Sequence, residues 1–320
     1  MGQHKKQHYV QQSYLRRFSS DEKRVFVYDK VLQKSFQNSI SDVAQESHFY
    51  RLPDNLKTED GKPIDVDDPL IVEKAFQRIE GRANQDVKTL IELPAGASIP
   101  TETRENLSVF LAIQFVRTRA FRNLVVETAE KFMQALARDL IKENFGEESL
   151  KYTPKISFSD KAAGLFQSQQ IFGFDKLDEF AKVLHNHIWI LLINDTGKPL
   201  YTSDNPVVMH TPLKNQLPGV GIASPGIEIA FPLSSSRVLT LADREVYGFH
   251  ESSFDGKIRQ LQEDNVTYYN SLQVLDSERQ IYCEQPDFAL VEDMIKKNPN
   301  LSKEKSERVE IKIVEKNSPS

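Results

Sequence analysis

Several polar side chains stand inside otherwise apolar or aromatic stretches of this chain and could do chemistry there. The first lie in His8-Tyr9-Val10-Gln11-Gln12-Ser13-Tyr14-Leu15-Arg16-Arg17-Phe18. Histidine titrates near neutral pH and can serve as acid, base or metal ligand. Arginine offers a planar fork of donors to an anion. On a helix, His8, Gln12 and Arg16 would recur on one side. The same residues also fit an N-terminal segment docked by Tyr9, Val10, Tyr14, Leu15 and Phe18, with Arg16 and Arg17 solvated.

A second group is Gln114, Arg117 and Thr118. Gln114 and Thr118 occupy positions of an apolar helical stripe, and Arg117 lies one turn beyond Gln114. Burying such groups without partners costs about 1–3 kcal/mol each, so a protein network, water or a ligand must satisfy them. A third group is Tyr201-Thr202-Ser203-Asp204-Asn205-Pro206 between two short strands. Ser, Asp and Asn before Pro make a good turn through their own backbone bonds. The alternative is a carboxylate held at a strand end, suited to a metal or a general base. Acids that could complete a divalent-metal site with Asp204 are Glu80, seven residues after Glu73 on one helical flank, and Glu46.

Other chemistries are excluded by motif. The chain has one cysteine, Cys283, so neither an intrachain disulfide nor a Cys-rich zinc site can form. There is no phosphate-binding lysine loop, nucleophile elbow or His-Glu-x-x-His. Gly219-Val220-Gly221 leads into a strand, so it lacks the helix N-terminus that would hold a phosphate. His185-x-His187 lacks an evident third ligand.

The elements that must position these residues follow from periodicity. Val25–Tyr28 and Phe36–Ile40 pattern as a strand pair, and 53–68 as loop. Asp68-Pro69 opens a helix striped by Phe76, Ile79, Ala83, Val87 and Leu90. A second helical stripe runs from Thr101 for about forty residues, which is about 60 Å if unbroken. It must cross the molecule or break. Further helices are expected near 160–170, 175–186 and 260–275. Short strands are expected at 188–193, 200–202, 206–209, 227–231, 237–241 and 280–282. Strands bracketing a helical middle without regular alternation specify an α+β fold. Residues 1–300 are expected to form one domain, with a sub-boundary possible near 145–160, and 301–320 a polar tail.

The net charge is −5, which argues against a global polyanion-binding surface, but the first 24 residues carry six cations against two anions. Aromatics interleave them, so nucleic acid or a nucleotide is the partner expected at this local patch. No segment is long and apolar enough for a membrane span or secretory signal, and the expected location is cytoplasmic.

His8-Tyr9-Val10-x-Gln12-x-Tyr14-Leu15-Arg16-Arg17-Phe18 resembles the opening signature of the domain of unknown function 4238 family. Gln114-x-x-Arg117-Thr118, Trp189, Thr202-Ser203-Asp204-Asn205-Pro206-Val207 and Phe231-Pro232-Leu233 resemble its later blocks, in the same order. Glu46 to Tyr50 and Val266 to Tyr282 are looser matches. Gln11 departs from the family's usual proline. The resemblance implies no activity, but its signature falls on the polar residues singled out above.

Two functions fit these residues. One is a non-catalytic module binding or sensing an anion, nucleotide or nucleic acid. The other is a metal-assisted phosphodiester hydrolase. There, Asp204, Glu80 and Glu46 would hold the metal, and His8 would act as acid or base. Gln114 would orient water, and Gln12, Arg17, Arg117, Thr118 and Asn205 would bind substrate.

Overall fold

The computed structural model describes residues 6–47, 49–50, 61–63, 71–171, 174–211 and 221–303. The expected Asp68-Pro69 cap, the Glu73 side chain, Gly219-Val220 and the tail beyond 303 lie outside the described residues. The fold is α+β. Its strands are β1 (Lys6–His8), β2 (Arg24–Asp29), β3 (Lys34–Ser39), β4 (Gln45–Ser47), β5 (Ile188–Ile193), β6 (Thr202–Ser203), β7 (Val208–His210), β8 (Glu228–Ser234), β9 (Arg237–Ala242), β10 (Lys257–Gln260) and β11 (Gln280–Cys283). Its helices are α1 (Gln12–Leu15), α2 (Ile71–Glu92), α3 (Thr101–Val116), α4 (Arg119–Phe145), α5 (Asp160–Ile171), α6 (Phe174–Asn186), α7 (Arg244–Tyr247), α8 (Glu251–Phe254), α9 (Glu263–Asp276) and α10 (Ala289–Lys297).

A five-stranded sheet has the order β10-β5-β9-β8-β7, parallel only between β10 and β5. Strand β5, flanked by β10 and β9, is the apolar run Ile188–Ile193, buried along nearly its whole length and therefore without alternation. Trp189, Leu191, Phe231 and Leu239 join a core built with Leu107, Leu111 and Leu184 of α3 and α6. The alternate residues Leu192, Ala230 and Val238 pack with Val266, Tyr269 and Leu272 of α9. A four-stranded antiparallel sheet, β3-β2-β11-β6, packs Tyr28 and Ile281 with Val291 and Ile295 of α10. Strands β1 and β4 form a separate two-stranded ribbon.

The forty-residue helical stripe does break, at Arg117-Thr118. Thr118 is extended (φ −76°, ψ 159°) and its hydroxyl caps α4 by accepting from the Phe121 N–H at 3.2 Å. Gln167 donates to the carbonyls of Val116 and Thr118 at 3.1 and 3.0 Å, satisfying groups the break leaves open. The polar residues within the stripe mark this break.

The N-terminal motif also differs from a single helix. His8 ends β1, only the single turn Gln12–Leu15 is α-helical, and Arg16–Phe18 continues it in 3-10 conformation. Gln11 precedes that turn at φ −65°, the angle a proline ring would fix, and its buried amide nitrogen has no partner among the described residues. The Gln11→Pro variant should therefore be stabilised by about 0.5–1 kcal/mol, mainly by restricting the unfolded chain. A lower urea midpoint would refute this account of the position.

Candidate functional site

The break between α3 and α4 organises the polar residues of the N-terminal motif. Arg117 is 4% exposed. Its Nη1 donates to Glu80 Oε1 at 2.6 Å, its Nη2 to the His8 carbonyl at 2.7 Å, and its Nε to the Tyr50 hydroxyl at 3.2 Å. The Phe76 ring lies under the guanidinium at 4.9 Å. Burial works against this charge, yet Tyr50 and Glu80 hold the guanidinium's pKa above its ordinary value. Gln114 Nε2 donates to the Tyr9 carbonyl at 3.1 Å. The α3 residues thus hold the backbone of His8-Tyr9 through its carbonyls, joining segments more than a hundred residues apart.

His8 Nε2 stands 3.3 Å from the Ser41 carbonyl oxygen and 3.4 Å from Gln12 Nε2. Donation to Ser41 leaves Nδ1 without a partner among the described residues. Burial, with the Arg117 and Lys6 charges beside it, lowers the His8 pKa against the Ser41 bond, which raises it. Arg17 Nη2 reaches Asn84 Oδ1 at 2.9 Å, and Asn84 in turn donates to Ser13 Oγ at 3.0 Å. Burial lowers the Arg17 pKa.

Asp204 lies 2% exposed at the end of β6. Its Oδ1 accepts from the Glu278 N–H at 2.8 Å, and its Oδ2 from the N–H groups of Arg279 and Gln280, each at 2.8 Å. Burial raises its pKa, against the backbone donors and the nearby Lys30 charge, which favour the anion. The rest of the block faces α9. Ser203 Oγ donates to Gln273 Oε1 at 2.7 Å, and Asn205 Nδ2 to the Asp276 carbonyl at 3.1 Å. The sequence allowed this block to be either a turn or a carboxylate site. Its described contacts are those of a structural joint.

The acids considered for a metal are therefore placed apart in role. Glu80 pairs with Arg117, Asp204 caps backbone amides, and Glu46 stands 4.0 Å from Arg122. Among the described residues, no group of three or more His, Cys, Asp or Glu is placed to hold a metal ion. The described geometry thus does not assemble Asp204, Glu80 and Glu46 into a metal centre.

Sequence reasoning missed three arginines with partly or wholly interior roles. Arg122 has its Nε donating to Gln167 Oε1 at 2.9 Å and its Nη2 to the Phe49 carbonyl. Its guanidinium lies 3.6 Å from the Phe49 ring centre. Arg104 Nη1 and Arg244 Nη2 clasp opposite oxygens of Asp255 at 2.9 and 2.7 Å, and Asp255 also accepts from the Trp189 N–H at 3.0 Å. Arg122 and Gln167 are 45 residues apart and Arg104 and Asp255 are 151 apart, and only the fold brings them together.

The motif blocks now share one frame. His8 and Tyr9 are held by Arg117 and Gln114, Tyr14 bonds Thr202 and the Pro232 carbonyl, each at 2.7 Å, and Asp204 locks β11. The profile of the family described as "Protein of unknown function (DUF4238)" matches residues 6–287. The chain belongs to the DUF4238 family. No curated protein and no solved structure matches it. The DUF4238 blocks flagged in the sequence thus meet in three dimensions, with most of their polar groups turned to one another. Among the described residues, no helix is long and apolar enough to cross a membrane.

Proposed function

We propose that this DUF4238 protein is a non-catalytic module that binds an anionic ligand through phosphate groups of a nucleotide or nucleic acid. One observation carries the reading. The arginines and acids of the internal frame already have protein partners, whereas Arg16, Lys23 and Arg119 are exposed and have no acidic partner among the described residues. Arg16 and Lys23 belong to the basic N-terminal segment, and Arg119 is close enough to influence the Tyr9 hydroxyl. Lys6 and Arg24 contribute less, because Asp42 and Asp21 pair with them at 3.0 and 2.9 Å. Exposed cations bind phosphates by releasing counterions, which requires no bond making.

The test is fluorescence anisotropy with labelled single-stranded RNA, single-stranded DNA and a labelled nucleoside triphosphate, across a salt series. Binding should weaken as salt rises, and R16A, K23A and R119A should each lower the salt slope by up to about one. The same oligonucleotides are incubated with Mg²⁺, Mn²⁺ or chelator. Binding with intact oligonucleotide supports the proposal, while absent binding or metal-dependent cleavage overturns it.

A further inference from the structure

A second site, opposite in charge, lies on the α9 side of the five-stranded sheet. Strand register places Ile190 and Leu192 of β5, Thr240 and Ala242 of β9, and Glu228 of β8 on one face. Helix α9 covers part of that face through Val266, Tyr269 and Leu272. The uncovered remainder is a cavity of about 280 Å³ with these five residues on its lining. Its floor is hydrocarbon, and aromatic rings of Tyr247, Phe254 and Tyr269 stand around it.

Glu228 is the feature that the fold leaves unexplained. Its Oε1 accepts from the Tyr269 hydroxyl at 2.9 Å and its Oε2 from the Tyr268 hydroxyl at 3.1 Å. Both tyrosine pKa values are raised, by burial first and then by Glu228, so both remain O–H donors at neutral pH. Two neutral donors fix the orientation of the carboxylate without neutralising it. No cation lies within salt-bridge distance of it among the described residues. The lining cation, Arg259, is turned to other work: its Nη1 donates to the Ile258 carbonyl at 3.2 Å, its Nη2 to the Ser253 carbonyl, and its guanidinium lies 5.4 Å from the Phe254 ring centre.

An oriented, unneutralised carboxylate beside a hydrocarbon floor and aromatic walls is complementary to a small organic cation. Its ammonium would replace the missing counter-charge, and its apolar body would cover the sheet. We propose that this cavity binds a small primary amine carrying a ring or short hydrocarbon body, with the ammonium on Glu228 and the body over Ile190, Thr240 and Ala242. This ligand class is independent of the phosphate-binding reading, because the two sites share no residue.

Titration calorimetry at pH 7.5 would use three probes of one shape: 2-phenylethylamine, 2-phenylethanol and 3-phenylpropionate. The amine should bind wild-type protein saturably, at least roughly tenfold tighter than the alcohol, and the carboxylate should not bind. Glu228→Gln keeps the shape and can still accept one tyrosine bond, and should reduce amine affinity roughly tenfold or more. Ala242→Phe fills the cavity and should abolish binding. The probe series on wild-type protein decides the matter even if a variant fails to fold. No amine binding, equal binding of the alcohol, tighter binding of the carboxylate, or undiminished binding by folded Glu228→Gln would each overturn the proposal.

Discussion

Replacing Asp204 by asparagine should lower the unfolding free energy by about 3 kcal/mol, read as a fall in urea midpoint at unchanged slope. The reason is the turn between α9 and β11. Lys30 Nζ donates to the carbonyls of Val274 and Ser277 at 2.9 and 2.6 Å, while Asp204 accepts the next three amides, those of residues 278 to 280. The two side chains thus satisfy opposite halves of one turn, and that turn delivers β11 to the middle of its sheet between β2 and β6. Asparagine matches the shape, but its amide must face at least one of these N–H groups. Donor would then oppose donor at a side chain only 2% exposed, which leaves a backbone amide without its acceptor. His8→Gln, at the edge of the ribbon, should cost less than about 1 kcal/mol. This ordering bears directly on function. Loss of any activity in an Asp204 variant must first be separated from loss of fold. An unchanged midpoint in Asp204→Asn would show that the turn does not depend on the carboxylate.

The same contrast explains what could be read from the chain alone. The strand at Ile188–Ile193 was legible because an apolar run carrying Ile and Trp and too short for a buried helix suits an interior strand. The break at Arg117-Thr118 was legible as a problem, since polar groups interrupted an apolar stripe, but its solution was not. Glu80, Tyr50 and His8 reach Arg117 from 37, 67 and 109 residues away, and no local pattern encodes those meetings. Residues 257–260 were missed as a strand for a related reason. Lys257-Ile258-Arg259-Gln260 is mostly polar, and its strand character comes from parallel pairing with β5 rather than from its own composition. The cavity at Glu228 was invisible because its lining alternates along three strands whose order only the fold reveals. The Thr202–Pro206 block looked equally suited to a turn or to a metal, because a carboxylate that caps amides and one that binds a cation have the same sequence signature.

Arg117→Met should be the most damaging single change in the N-terminal frame, costing about 3–5 kcal/mol. Methionine can fill much of the space over Phe76, so the cost is electrostatic rather than volumetric. It leaves the Glu80 carboxylate, the Tyr50 hydroxyl and the His8 carbonyl without the donor each now has. Glu80 is 26% exposed at its side chain and can recover some hydration, so Glu80→Gln should cost less, about 1–2 kcal/mol. In the double variant the loss should fall below the sum of the two single losses, since much of the Arg117→Met cost is the stranded carboxylate. Additive losses would indicate that the pair is not coupled. The frame also predicts how binding responds. Arg117 is buried and outside the proposed ligand surface, and acts on the N-terminal segment by holding the His8 backbone in place. Its loss should weaken anion binding without changing the salt slope, because no phosphate contact is removed. R16A, K23A and R119A should instead change the slope while leaving the urea midpoint within about 0.5 kcal/mol of wild type. A variant set that sorts in this way separates the residues that position the binding surface from those that form it.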